Sequence, residues 1–182
     1  MSSKINVCNI IFGHLNTLKD ASSSKVSLVD VFTFFIVPLL FGILVFLSGF
    51  KLNDSLISLL VNFGAIFTAL LLSVLVLVYD QSSKLSERNE RNKVPFYTVK
   101  KSLLDQLYYN ICYSIVLALA LIFMCFLESI TRGKLLDLAC IGVPKLDINM
   151  YVFTPVVVFI SVHLILTIVM IVKRMHVLLT TE

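Results

Sequence analysis

Residues 80–105 read DQSSKLSERNERNKVPFYTVKKSLLD, the one long charged segment of the sequence. Upstream of it lie the runs Val31–Phe50 and Ser55–Tyr79, downstream Gln106–Leu127 and Tyr151–Val172, and none of the four contains Asp, Glu, Lys or Arg. A helix needs about 20 apolar residues to cross a hydrocarbon layer of roughly 30 Å. The expected fold is therefore all-α: a polytopic membrane protein with four transmembrane helices in two hairpins, joined by the charged segment as a cytoplasmic helical elbow. Asp80–Asn92 lacks proline and glycine and continues the second span as helix. Val94-Pro95 breaks it, because the residue before proline is pushed out of helical geometry. Thr98 is the expected cap of the return helix.

Composition agrees with this layout. The 182 residues are 58% hydrophobic and 14% charged, with a mean hydropathy of +0.97, whereas soluble domains carry about 25% charged residues. The length allows one membrane domain, residues 31–182, and no separate soluble one. The net charge of +4 reads as cations retained on one membrane face, and no direct nucleic-acid binding is expected. Of the 15 Lys and Arg, Lys4, Lys19, Lys25, Lys84, Arg88, Arg91, Lys93, Lys100, Lys101, Lys173 and Arg174 fall on the elbow's side. Lys51, Arg132, Lys134 and Lys145 fall on the other. That excess places both termini and the elbow in the cytoplasm.

Outside the spans, residues 1–30 form a cytoplasmic segment. In Ile5–Leu18 the apolar residues Cys8, Ile11, Phe12, Leu15 and Leu18 recur at helical spacing, which predicts an amphipathic helix lying on the inner membrane surface or against the bundle. The run is short and has no small-residue cleavage pattern, unlike a signal peptide. Residues 21–25 read as a linker. Lys51–Asp54 is a tight turn that returns the second span antiparallel to the first. Residues 128–150 are the outer loop, with Leu135–Ile141 as a short helix resting on the membrane. Tyr108, Tyr109 and Tyr113 suggest an aromatic belt at the inner end of the third span. The four cysteines show no CxxC spacing, and Cys125 and Cys140 lie where a disulfide is one option.

The candidate residues fall into two groups. Lys84, Glu87, Arg88, Glu90 and Arg91 alternate in sign on the elbow; they make either a solvated helix face or a docking site for a cytosolic protein or anionic head groups. Asn62, Asn110, Ser114, His163 and Thr167 are polar positions within the spans. Asn62 begins a small stripe with Ala65, Ala69 and Ser73, and Asn110, Ser114 and Ala118 form a second. Such stripes let helices approach and hydrogen-bond, while a pore between subunits is the alternative use. His163 is the intramembrane ionisable residue: its plain reading is a neutral imidazole bonded to a neighbouring helix, its sharper one proton or ion handling. No HExxH, GxSxG or matched Ser-His-Asp pattern occurs. The chain is expected to be no enzyme, with no catalytic residue, cofactor or metal.

The layout, with FFIVPLLFGILVFL in the first span, LLLSVLVLVYDQSSKL leaving the second and KKSLLDQLYYNICYSIVLALA entering the third, resembles the four-span membrane subunit of the Kiwa anti-phage defence system. The resemblance implies an inner-membrane homo-oligomer, a tetramer, that senses phage attack at the envelope and carries a DNA-binding cytosolic effector. No catalytic residues come with it. Pore-forming effectors of the same span count share the layout, so a channel remains the alternative to a sensor or scaffold.

Overall fold

The structure is a computed structural model and describes residues 7–17, 28–132, 135–138 and 143–180. Helix α1 spans Cys8–Thr17. A continuous helical run follows: α2 (Leu28–Val31), a π turn over Phe32–Ile36, and α3 (Val37–Ser48). Next come α4 (Asp54–Arg91) and α5 (Tyr97–Thr131), then strands β1 (Leu135–Leu138) and β2 (Val143–Asp147). A second π turn, Asn149–Phe153, leads into α6 (Thr154–Thr180). The fold is all-α except for that one antiparallel hairpin. The short helix expected over Leu135–Ile141 is thus a strand over Leu135–Leu138. Lys4, Lys19, Lys25, Lys134, Cys140 and the 21–25 linker lie outside the described residues. Cys125 is a buried free thiol.

The helices starting at Asp54, Tyr97 and Asn149 are long and apolar enough to cross a membrane, while Phe32–Ser48 is a shorter apolar helix. Exposure is arranged for a lipid solvent. Leu44, Leu47, Leu59, Leu70, Phe123 and Val169 face outward, while Asn110, Ser114, His163 and Thr167 are buried. Water would reward the reverse arrangement. The elbow-bearing end of the bundle is called inner below, the other end outer.

Local sequence explains the helix boundaries. Gly49 takes the left-handed conformation (φ 64°) that ends α3. The Asn53 side chain accepts the Leu56 N–H at 2.8 Å and starts α4. Each π turn ends two residues before a proline, Pro38 in one case and Pro155 in the other. Proline offers no N–H and its ring crowds the carbonyl four residues back, and a widened turn relieves the crowding.

The packing corrects the expected pairing. Helix α4 packs along α5, α5 along α6, and α3 along α6. The two helices joined by the tight 49–53 turn are therefore not the main hairpin, and the elbow does not separate two hairpins. It is itself the turn of the largest helix pair. Ile57, Gly64, Leu71 and Val78 are the buried residues of α4 and repeat every seventh position, the seam of a coiled-coil-like contact. Gly64 permits the approach, because a Cβ there would stand 2.9 Å from Ile122 Cγ1. Gly42 does the same for α3, with a Cβ reaching 3.3 Å from the Pro155 carbonyl oxygen.

Helix α1 lies against the bundle, on α5, one of the two placements expected for it. Its apolar residues Ile11, Phe12 and Leu15 are exposed, and its buried residues are His14 and Thr17. Gly13 lets α1 lie on α5, since a Cβ there would strike the Tyr109 ring. The apolar stripe thus points away from the protein, towards lipid.

Candidate functional site

Two features stand out: a buried polar junction at the inner half of the bundle, and the elbow beyond it. The junction begins with a missing hydrogen bond. Pro38 cannot donate to the Phe34 carbonyl one turn earlier. His163 Nδ1–H donates to it instead, at 2.6 Å. A carbonyl only accepts, so this contact places the neutral ring's proton on Nδ1. Nε2 then accepts from the Tyr113 hydroxyl at 2.8 Å. The Tyr113 ring in turn stacks on His14, with centroids 3.9 Å apart and planes within 9°. His14 Nδ1–H donates to Asn110 Oδ1 at 2.8 Å. The Thr17 hydroxyl lies 2.8 Å from that same oxygen. Arg174 Nη2 closes the C-terminal end of α1 by donating to the Thr17 carbonyl at 2.7 Å. One chain of contacts thereby joins α1, α5, α6 and the π turn before α3. Burial holds His14 well below its ordinary value, at about 4, despite the Asn110 bond.

His163 and Asn110, which the sequence singled out, therefore belong to one junction, while Thr167 turns its hydroxyl back to the His163 carbonyl at 2.8 Å. Ser114 is fully buried with no hydrogen-bond partner. Asn62 stands apart. It is exposed on α4 with Ala65, Ala69 and Ser73, on a side away from the Ile57–Val78 seam. Tyr113 is buried, unlike Tyr108 and Tyr109, and is a junction residue instead of part of an aromatic belt. Its partners were not readable from spacing. The Phe34 carbonyl was not singled out either, although any proline inside a helix orphans the carbonyl four residues earlier.

The elbow is a zipped helical stalk. Lys101 Nζ donates to Ser82 Oγ at 2.6 Å, and Asn89 Oδ1 accepts the Val94 N–H at 3.2 Å. Ser86 and the Tyr97 hydroxyl, 3.5 Å apart, lie between them in the same antiparallel register. Two of the docking candidates pair within α4: Lys84 with Asp80 at 2.7 Å and Arg91 with Glu87 at 2.6 Å. Arg88 and Glu90 are exposed and make no ion pair among the described residues. At the tip, Phe96 takes φ 57°, the left-handed region that a bulky side chain rarely enters, and is 75% exposed. Helix α5 starts there, so Thr98 sits inside it and is no cap.

The outer end holds a second polar corner. Arg132 pairs with Asp54, and Lys51 with Asp147 at 2.8 Å, which holds the Asp147 carboxyl below the usual range. Asn149 Nδ2 donates to the Glu128 carbonyl at 3.1 Å, and Asn149 Oδ1 accepts from Thr131 at 2.7 Å. Both carboxyl oxygens of the fully buried Glu128 lack a partner, as does the Thr154 hydroxyl. Among the described residues no three His, Cys, Asp or Glu gather closely enough to hold a metal ion. No family model, curated protein or solved structure matches the chain.

Proposed function

We propose that this chain is a non-enzymatic sensor and scaffold subunit of a bacterial anti-phage defence complex, resident in the cell inner membrane. The run from Leu28 to Ser48 makes the fourth crossing, and both termini face the cytoplasm. The chain assembles as a homo-oligomer, a tetramer, and recruits a cytosolic, DNA-binding effector through the elbow. The observation that carries this reading is the elbow tip. An aromatic side chain is held exposed in a strained backbone conformation at the turn that follows α4, whose last turns carry Arg88 and Glu90, neither in an ion pair among the described residues. Aromatic anchors flanked by charge are what protein interfaces concentrate their binding energy on, and backbone strain of this kind collects at functional positions. The exposed Asn62 stripe supports the oligomer, because an amide without a partner is costly in hydrocarbon and a second copy supplies one.

The test is co-purification in detergent with the proteins encoded beside this gene. Arg88→Glu combined with Phe96→Ala is expected to release the effector while leaving the oligomer mass unchanged. An effector retained by that double variant sinks the docking surface. The same stripe favours a second reading, an oligomeric pore lined by Asn62 and Ser73. That reading requires the purified protein alone to conduct ions across a planar bilayer, with conductance altered by Asn62→Leu.

A further inference from the structure

At the inner end of the bundle, α4, α5 and α6 leave a groove of about 350 Å³ between them. Its walls are aliphatic: Leu77 and Val78 from α4, Leu104 and Leu107 from α5, Met175 and Leu178 from α6. Two polar side chains, Gln81 and Lys100, join the lining. Neither the Lys100 ammonium nor the Gln81 amide has an ion-pair or hydrogen-bond partner among the described residues, unlike the neighbouring Lys84 and Lys101, which are both paired. A half-exposed cation therefore stands unneutralised beside an apolar slot.

The depth of the slot identifies its occupant. Leu77 lies about 35 Å along α4 from Asp54 at ~1.5 Å per residue, just past a hydrocarbon layer of ~30 Å. The slot opens where acyl chains end and phosphates begin. A soluble helix approaching from the cytosol would meet it edge-on, inside the head-group layer, whereas a lipid is already there. Basic pockets between helices at this level take anionic head groups.

We infer that this groove is a site for an anionic phospholipid, with one acyl chain lying along Leu77, Leu104 and Leu178 and the phosphate held by Lys100 and Gln81. The inference rests on the membrane-spanning reading of α4, α5 and α6. It gives the protein a fixed annular lipid at the root of the elbow, where Lys100 opens the return helix.

The chain contains no tryptophan, so an introduced one reports alone. Leu77→Trp places a reporter on the groove's exposed rim, and Phe123→Trp places a control on the lipid-facing side of α5. Both variants are reconstituted in phosphatidylcholine vesicles carrying a minor fraction of brominated phosphatidylglycerol, or brominated phosphatidylcholine in its place. At Leu77→Trp the anionic lipid should quench with about fivefold higher apparent affinity than the zwitterionic one, the preference expected from one interfacial lysine. Adding Lys100→Gln should remove that preference and Lys100→Arg should keep it, while Phe123→Trp should show none. Equal quenching by the two lipids at Leu77→Trp overturns the site. So does absent quenching there with normal quenching at Phe123→Trp, which means protein covers the groove. If neither reporter is quenched by any lipid, the spanning reading itself is wrong.

Discussion

The inner junction and the outer corner are both buried, both polar and both incompletely hydrogen-bonded, yet different groups are left over: His14 Nε2, Asn110 Nδ2, Ser114 Oγ and Arg174 Nη1 at the inner junction, the whole Glu128 carboxyl at the outer corner. At the inner junction both ring nitrogens of His163 are engaged, and His14, Tyr113 and Asn110 each touch a neighbouring helix. At the outer corner Glu128 is as deeply buried, and its carboxyl oxygens bond to nothing, while Arg132 Nε and Nη2 one turn away are also unmatched. A satisfied network in a medium of low dielectric fixes one arrangement, and an unsatisfied one raises the energy of the arrangement it is in. Neither end is fully satisfied, but at the inner end each histidine keeps at least one hydrogen bond, while at the outer end an acidic group keeps none.

The largest effect should come from breaking the inner network. His163→Leu leaves the Phe34 carbonyl and the Tyr113 hydroxyl without partners and should cost about 2–6 kcal/mol, at ~1–3 kcal/mol for each orphan, measured by denaturant unfolding in detergent. Pro38→Ala gives Phe34 a donor within its own helix. The double variant should therefore lose less than His163→Leu alone, and strict additivity of the two substitutions would show that the proline and the histidine are unconnected.

Acid should act next. The folded value for His14 lies below its ordinary one, so the unfolded chain takes up the proton first. The stability gained from neutral His14 is present above about pH 6.5 and drains away as pH falls towards 4. Arg174 faces it as a positive group, and its Nε2 has no acceptor to receive a proton. Linkage bounds the loss at about 3 kcal/mol. Hydrogen exchange of α1 should rise through that window, and His14→Gln should flatten the profile.

At the outer corner the sign should reverse. Glu128→Gln removes a buried charge without breaking a side-chain bond, and should be neutral or stabilising by about 1 kcal/mol. A loss as large as that of His163→Leu would mean that Glu128 has a partner in the assembled protein, and the contrast between the two ends would fall. The smallest effect belongs to the partly exposed pair of Lys51 and Asp147. Asp147→Asn should cost less than about 1 kcal/mol and less still in high salt. Because the Asp147 carboxyl is held below its usual range, that contribution is present above about pH 4 and fades as pH falls further.

Sequence and structure agree on the long helices and diverge on their partners. Uncharged runs reveal which segments suit lipid, because transfer of charge into hydrocarbon is costly whatever the neighbours are. Which helix lies against which depends on shape. Gly64 makes room for Ile122 and Gly42 for the α6 backbone, and hydropathy carries no record of either. The polar stripe from Asn62 to Ser73 looked like the packing face of α4, yet the seam from Ile57 to Val78 on another face took that role. In α1 the apolar spacing did not single out His14 and Thr17, which turn inward while Phe12 turns outward. In lipid the apolar face of a surface helix has no need to seek the protein. The position of His163 was legible. Its partner, the carbonyl that Pro38 leaves free, was not singled out although the proline marks it, and the stacking of Tyr113 on His14 needed coordinates.

Helix α4 runs without interruption from Asp54 to Arg91. From Ala65 onward it contains no glycine, and it contains no proline at all. It therefore has no joint where it leaves the bilayer. A rod of this kind ties the position of its outer end at Asp54 to that of the elbow tip more closely than a helix kinked at proline or glycine would. The Ser82, Ser86 and Asn89 contacts fasten the first turns of α5 to the same rod.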